Sequence, residues 1–156
     1  MLPWSQALER DAYALGGQRF AQMRAQRVAS IDSTNSALLR LAQAGDNTPQ
    51  ILWADRQSAG RGRLGREWVS SEGNLFVTVL INPPVGLEEC PQLSFVAALA
   101  VAETLEGILP ESAKIACKWP NDVLAEGAKL AGILLESSML PNGQMAVAIG
   151  IGEAAR

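Results

Sequence analysis

The chain has 156 residues, of which 48% are hydrophobic and 19% are charged, a composition typical of one globular domain with a buried core. Its formal net charge of -3 argues against a surface that binds nucleic acid. The sequence contains no histidine, which excludes a Ser-His-Asp or Cys-His nucleophilic site and a histidine general base. An enzyme of this composition must therefore use the charges of arginine and lysine, or the substrate's own groups.

The first third of the chain alternates between helix and strand patterns. Residues 1–27 are predicted to be a helical lead-in, and residues 26–31 suit a short strand. Ser33 or Thr34 is a good N-cap for a helix with an apolar stripe, which we expect to end at Gly45.

The middle of the chain predicts two strands and a helix. Residues 51–54 and 74–81 are predicted strands, the second rich in β-branched side chains. Pro91 opens a predicted helix that runs to about Leu109. Because its apolar residues lie on nearly all sides, we expect this helix to be well buried.

The last third predicts a β-meander. Strands are predicted at 114–119, 129–137 and 145–152, and the turn signal Asn142-Gly143 precedes the last of them. This order of elements predicts an α+β fold with a mixed, largely antiparallel sheet and with helices packed on one side.

The stretch "GRGRLGREW" contains three glycines with the spacing of a dinucleotide-binding fingerprint. A Rossmann loop leads into a helix, whereas this loop leads into a predicted strand, and a P-loop would end in Gly-Lys-Ser or Gly-Lys-Thr. A kinase would need a histidine-containing catalytic loop. Arg61, Arg63 and Arg66 instead predict the binding of a carboxylate or phosphate, with a solvated basic turn as the alternative.

Three further features support a site for an anionic ligand. Trp68, just beyond the loop, is suited either to stacking on a flat ring or to filling the core. The stretches "KWPND", residues 118–122, and "KLAGILLES", residues 129–137, contain two of the chain's three lysines. Gly132 in the second stretch would let a ligand or another backbone come close. Ordinary surface positions remain the alternative for each lysine.

The motifs "GRGRLGREW", "KWPND" and "KLAGILLE", in this order and preceded by Ser33-Thr34-Asn35, closely resemble the catalytic core of biotin protein ligases. The resemblance covers residues 28–152 and implies a fold like that of class II aminoacyl-tRNA synthetases. It implies ATP-dependent ligation of biotin to a lysine through biotinyl-5′-AMP, with Mg²⁺ as cofactor. The implied acceptor is the carrier domain of a biotin-dependent carboxylase. Positioning and charge neutralisation are sufficient for both steps, which agrees with the absence of histidine.

The resemblance also implies roles for individual residues. Lys129 would bridge the biotin carboxylate and the α-phosphate, Arg63 would hold the adenylate phosphate, and Asp122 would receive or orient the acceptor amine. The implied biotin-binding residues are Ser33, Thr34, Asn35, Gln57, Gly60, Arg61, Gly62, Arg63, Lys129 and Gly132. The implied nucleotide-binding residues are Arg63, Arg66, Trp68, Lys118, Asn121 and Lys129. No metal ligand is implied on the protein, because Mg²⁺ would enter with ATP.

The ends of the chain differ from the family pattern. Fewer than 30 residues precede the core, so we expect no winged-helix domain and no specific DNA binding. Residues 153–156 form a short tail where the family continues into a nucleotide-binding asparagine and an SH3-like barrel. Two alternatives to an active ligase stay open, the first because of these ends and the second because lipoate and octanoyl ligases share the implied fold. One is a truncated, non-catalytic biotin-binding remnant, and the other is a relative of lipoate or octanoyl ligases.

Assembly and location are also predicted. We expect the strand at 145–152 to lie near an open sheet edge and to favour self-association, and related ligases often dimerise through the sheet. The N-terminus has no basic segment followed by an apolar core, and no apolar run is long enough to span a membrane. We therefore expect a cytoplasmic protein with no membrane partner.

Overall fold

The structure is a computed structural model that describes residues 23–153, except residues 72, 85 and 87. Residues 1–22 of the predicted helical lead-in lie outside the described residues, and the prediction of a helix at residues 24–27 is wrong, because these residues belong to a strand. The described residues form seven strands and two α-helices: β1 (Arg24–Val28), α1 (Thr34–Gln43), β2 (Gln50–Ala54), β3 (Leu75–Ile81), α2 (Leu93–Ile108), β4 (Ile115–Lys118), β5 (Asp122–Ala125), β6 (Ala128–Met139) and β7 (Met145–Glu153). None of the helices in this part of the chain is long and apolar enough to cross a membrane.

The strands form one sheet in the order β1-β2-β3-β7-β6-β5-β4. Only β1 and β2 run parallel, and every other neighbouring pair is antiparallel. The predicted mixed, largely antiparallel α+β sheet is therefore confirmed. The sequence pattern did not predict β5, because Pro120 cannot donate a hydrogen bond to a strand ladder and indicates the end of a strand. Instead the chain turns back at Trp119 and Pro120, and Asp122 pairs directly with Lys118.

The prediction that the last strand lies near an open edge is wrong. β7 occupies the middle of the sheet, with β3 on one side and β6 on the other. The edges of the sheet are formed by β1 and β4. Because both sides of β7 carry backbone hydrogen bonds, this strand offers no free edge for self-association.

The two helices pack on opposite faces of the sheet, so the expectation that they share one side is also wrong. Successive side chains of a strand point to opposite faces. Ala148 of β7 belongs to the core under α1, whereas its neighbour Ile149 packs against the core under α2. A sequence pattern indicates which face of a helix or strand is apolar, but it does not indicate on which side of the sheet each helix packs.

α1 begins as predicted. The side-chain oxygen of Ser33 accepts a hydrogen bond from the Ser36 N–H at 3.4 Å, which caps the helix. Leu38 and Ala42 are buried against the sheet. Gly45 follows the helix with a φ of +102°, a conformation that favours glycine, and its N–H bonds to the Ala42 carbonyl.

α2 is less buried than its composition predicts. Ala98, Ala102 and Leu105 form the buried stripe over β5 and β6. In contrast, Val96 is 63% exposed and Ile108 is 71% exposed. One face of a helix can contact a sheet, so the apolar residues on its other sides stay at the surface of the described part of the chain.

Candidate active site

A cavity of about 420 Å³ opens beside the N-terminus of α1. Its walls come from the start of α1, from the glycine-arginine loop with Trp68, and from β3, β6 and β7. Most of the predicted site residues line it together: Ser33, Thr34, Asn35, Gln57, Arg61, Gly62, Arg63, Arg66, Trp68, Asn121, Asp122, Lys129 and Gly132. Residues as far apart in the sequence as Ser33 and Gly132 thus meet in one place.

Two predicted site residues do not line this cavity. Gly60 is buried beneath the loop, where its carbonyl accepts a hydrogen bond of 3.0 Å from the Trp68 N–H. A Cβ added to Gly60 would lie 2.8 Å from the Trp68 carbonyl oxygen, so only glycine fits without a shift. Lys118 lies at the exposed end of β4, outside the cavity.

Neutral polar groups form the α1 end of the cavity. The backbone N–H and the hydroxyl of Thr34 donate to Gln57 Oε1 at 2.8 and 3.1 Å. The hydroxyl of the fully buried Thr78 lies 2.8 Å from Thr34 Oγ1 and 2.6 Å from Asn35 Oδ1. Sequence analysis missed Thr78, although a hydroxyl in the centre of the apolar stretch "LFVTVLI" was the available signal.

The Asn35 side chain connects α1 to β6. Its Nδ2 donates to Glu136 Oε2 at 2.9 Å and to the Leu134 carbonyl at 3.2 Å. A Cβ added to Gly150 would lie 2.5 Å from Asn35 Oδ1, so this glycine makes room for the amide. Both amide hydrogens are therefore used within the protein, and Asn35 holds the first turn of α1 in a fixed position.

The loop arginines make different contacts. Arg61 Nη2 donates to Ser36 Oγ at 2.8 Å and to the Glu136 carboxylate at 3.0 and 3.2 Å. Arg63 Nη1 donates to Asn121 Oδ1 at 3.1 Å, which joins the loop to the turn before β5. Within the described residues, Arg63 and Arg66 form no ion pair. Their charges are therefore available to an anion.

Ser36 and Glu136 were not predicted as site residues. Glu136 belongs to the quoted motif "KLAGILLES", where it is the only acidic side chain. This isolated charge on an otherwise apolar strand was the signal that could have identified it.

Trp68 forms a flat wall over two glycines. A Cβ added to Gly152 would lie 2.7 Å from the indole ring, and one added to Gly132 would lie 3.1 Å from it. Lys129 Nζ lies 5.1 Å from the ring centroid, within the range of a cation–π contact. The buried indole Nε1 has no hydrogen-bond partner among the described residues. Of the two predicted roles for Trp68, a wall of the site fits this position better than filler of the core.

Lys129 also contacts Asp122. Its Nζ lies 2.6 Å from Asp122 Oδ1, a close charge contact whose angles fall outside hydrogen-bond geometry. The Asp122 side chain is mostly buried, whereas the Lys129 side chain is partly exposed to the cavity. The ammonium group of Lys129 is therefore accessible to an anion that enters the cavity and competes with Asp122.

One carboxyl group beside the site has a strongly shifted pKa. Arg40 donates hydrogen bonds of 2.7 and 2.9 Å to Asp32, and these bonds lower the pKa of Asp32 to about 2. A second carboxyl group, that of Glu153 at the end of β7, has a pKa that is raised by burial.

Comparisons with a family profile and with individual known proteins agree on one family. The sequence profile of the biotin/lipoate A/B protein ligase family matches residues 28–152. The biotin–[acetyl-CoA-carboxylase] ligase of Paracoccus denitrificans is 50% identical over 125 residues, which cover 80% of this chain and 52% of that protein.

Solved structures give the same result. A biotin protein ligase from Aquifex aeolicus in complex with biotin and ATP is 39% identical, with a TM-score of 0.65 over 82% of this chain and 51% of that chain. A biotin protein ligase from Leishmania major in complex with biotinyl-5-AMP is 27% identical, with a TM-score of 0.67 over 81% of this chain and 56% of that chain. The chain spans about half the length of these relatives. Because the profile match covers most of its residues, the chain belongs to the biotin/lipoate A/B protein ligase family.

Proposed function

We propose that this chain is a biotin protein ligase core, which uses ATP to join biotin to a lysine of a carrier protein through biotinyl-5′-AMP. One observation carries the proposal: Lys129 lies against Trp68 over a glycine floor, in the same cavity as Arg63 and Arg66. A flat ring beside three cationic side chains suits an acyl-adenylate, which combines an aromatic base with a phosphate. Relatives solved with biotin and ATP or with biotinyl-5-AMP support it.

In the first step, the biotin carboxylate attacks the α-phosphate and pyrophosphate leaves. We propose that Lys129 moves from Asp122 to bridge these two anionic groups, which lowers their repulsion. Arg63 holds the phosphate and Arg66 faces the leaving pyrophosphate. Trp68 and Asn121 line the nucleotide side of the cavity.

Mg²⁺ would enter this site together with ATP. Within the described ranges, no three His, Cys, Asp or Glu side chains are grouped to hold a metal ion, while arginines and a lysine surround the cavity. Arginine and lysine side chains bind phosphates but do not ligate metals, so Mg²⁺ would be held mainly by the nucleotide phosphates and would neutralise their charge.

The other end of the cavity suits the neutral ring of biotin. Ser33, Thr34, Asn35 and Gln57 surround it with hydroxyl and amide groups. We propose that these residues, with Arg61, Gly62 and Gly132, form the biotin subsite, and that Gly60 supports it from below the loop. In this proposed arrangement, the carboxylate of biotin would point toward Lys129.

In the second step, a lysine amine attacks the activated carbonyl and AMP leaves. We propose that Asp122, freed from Lys129 by the adenylate, orients this amine. The Paracoccus denitrificans relative is named for acetyl-CoA carboxylase, which supports the carrier domain of a biotin-dependent carboxylase as the acceptor. Lys118 lies outside the cavity, so we propose that it contacts the acceptor rather than the nucleotide.

We also propose that the chain acts in the cytoplasm, where ATP and a carboxylase are available, without a nucleic-acid or membrane partner. A homodimer formed through the sheet would have to use β1 or β4, the two edge strands.

Incubation of the chain with biotin and Mg-ATP tests the proposal, with biotinyl-AMP and pyrophosphate measured by mass spectrometry. We expect both products, and we expect none with lipoate in place of biotin. Products from lipoate alone would identify a lipoate-type relative. Biotin binding without either product would identify a non-catalytic remnant.

Lys129→Ala is the matched variant for this experiment. We expect it to reduce adenylate formation at least 100-fold, because the charge that would bridge the two reacting anions is lost. We expect the fold to persist, because the Lys129 side chain is 42% exposed and contributes little to either core. Circular dichroism checks the fold, and adenylation at the wild-type rate would contradict the role of Lys129.

A further inference from the structure

Glu136 occupies a central position between α1, β6 and the glycine-arginine loop. Its carboxylate accepts hydrogen bonds from Asn35 Nδ2 at 2.9 Å and from Arg61 Nη2 at 3.0 and 3.2 Å. It projects from β6 on the face that carries α1, since its cross-strand partner is Ala148 of the α1 core. The Glu136 side chain is 29% exposed, so these bonds are partly shielded from water.

The ion pair with Glu136 distinguishes Arg61 from Arg63 and Arg66, the other arginines of the loop. Among the described residues, Arg61 is the only loop arginine with an ion-pair partner. The Ser36 hydroxyl, one turn into α1, holds the same guanidinium nitrogen at 2.8 Å. Arg61 is therefore fixed beside the neutral end of the cavity, and its charge is already balanced there.

We propose that Glu136 is a positioning residue for the biotin subsite. It fixes Arg61 at the α1 end of the cavity, so the loop is in place before the ligand arrives. This inference rests on the proposed function and adds a residue to it. Glu136 acts through Arg61 and does not itself need to touch the reacting atoms.

A purely structural role for Glu136 makes a different prediction. If the carboxylate only tied β6 to α1 through Asn35, its removal would affect ligand binding equally with or without Arg61. If it acts through Arg61, the two substitutions are not additive, because the second removes a contact that the first has already broken.

The first experiment uses the chain without ligand. We expect Glu136→Gln to increase the rate of tryptic cleavage after Arg61 and Arg63 at least about fivefold, because local opening exposes a loop to proteases. Glu106→Gln, which makes the same charge change on the exposed side of α2, is the matched control and should cleave like the wild type. Equal cleavage rates in all three proteins would overturn the fixing of Arg61 by Glu136.

The second experiment measures biotin affinity by calorimetry in a double-mutant cycle. We expect Glu136→Gln to raise the Kd for biotin about tenfold, as for the loss of one charge-assisted interaction. In an Arg61→Gln background, we expect the same change to raise the Kd less than twofold. In turnover, KM for biotin should rise while kcat stays within twofold of the wild type.

The outcomes separate this inference from the proposed function. Wild-type affinity in Glu136→Gln, or a full tenfold loss in the Arg61→Gln background, would overturn the positioning role. If the wild-type chain does not bind biotin, the proposed function fails, and the cleavage experiment still decides whether Glu136 fixes Arg61. Because Arg61 is exposed, Arg61→Gln should fold and should reproduce the loss of affinity even if Glu136→Gln is unstable.

Discussion

At the scale of single residues, Arg63 and Lys129 both carry charge into the cavity but are held differently. Lys129 is already close to a carboxylate and an aromatic ring, so it must exchange partners to meet an anion. Within the described part of the chain, the Arg63 guanidinium donates one hydrogen bond, to Asn121. Most of its donors are therefore free for a phosphate, and the arginine can retain an adenylate after the first step.

Replacement of Arg63 by glycine tests this retention. We expect Arg63→Gly to release biotinyl-AMP, so that lysines of bystander proteins such as serum albumin become biotinylated. The measurement is the ratio of labelled albumin to labelled acceptor, which should rise at least about tenfold, corresponding to about 1.4 kcal/mol of lost retention. Arg56→Gly, at an exposed arginine outside the cavity, is the control. Selective labelling of the acceptor by Arg63→Gly would contradict the role.

At the scale of elements, two glycines of β7 leave room for side chains from other parts of the chain. Gly150 meets the Asn35 side chain, and Gly152 meets the Trp68 ring. Sequence patterning predicted the strand itself but not these contacts, because they join residues more than 80 positions apart. The same limit hid Thr78 and Glu136, whose partners lie on other elements.

A methyl group at Gly152 should displace the indole ring and leave the strand intact. We expect Gly152→Ala to weaken biotin and ATP binding and to change the Trp68 fluorescence, because the added Cβ would lie 2.7 Å from the ring. Gly107→Ala in α2 is the control, because nothing lies within 4 Å of its added Cβ. In a helix that change should stabilise the fold by up to about 1 kcal/mol. Unchanged ligand affinity in Gly152→Ala would show that the site tolerates a moved Trp68.

The Asp32–Arg40 pair gives the start of α1 a defined pH dependence. Asp32 has a pKa of about 2 in the folded chain, below the roughly 3.9 of an unperturbed aspartate. The pair therefore stabilises the fold at pH values above about 4, and this contribution is lost as the pH falls through about 2. Because both side chains are largely exposed, the contribution is at most about 1 kcal/mol.

Arg40→Gln tests this pair. We expect the pKa of Asp32, measured by carbon NMR of its carboxyl group, to rise toward 3.9 in the variant. Urea unfolding should then show wild type and variant converging as the pH decreases. An Asp32 pKa near 2 in the variant would mean that other groups lower it.

At the scale of the whole molecule, the sequence predicted the elements better than their arrangement. The helix after Ser33, six of the seven strands and the Asn142-Gly143 turn follow from local patterns and are confirmed, whereas β5 was not predicted. The central place of β7 and the opposite faces of α1 and α2 depend on long-range pairing that no local pattern contains. The site was predicted through the resemblance of its motifs, and the structure adds the contacts between them.

The position of β7 also predicts how the chain unfolds. Its side chains alternate between the core under α1 and the core under α2, so neither core can open without disturbing a strand that the other needs. Leu38 is 1% exposed in the first core, and Leu105 is 3% exposed in the second. We expect Leu38→Ala and Leu105→Ala each to lower the free energy of unfolding by about 2–5 kcal/mol.

In both variants we expect a single transition in urea, with coincident curves from circular dichroism and tryptophan fluorescence. Substitution in one core should shift both curves by the same amount, because the shared strand couples the two sides of the sheet. Two separated transitions in either variant would mean that β7 transmits no such coupling. The core under α1 and the core under α2 would then unfold independently.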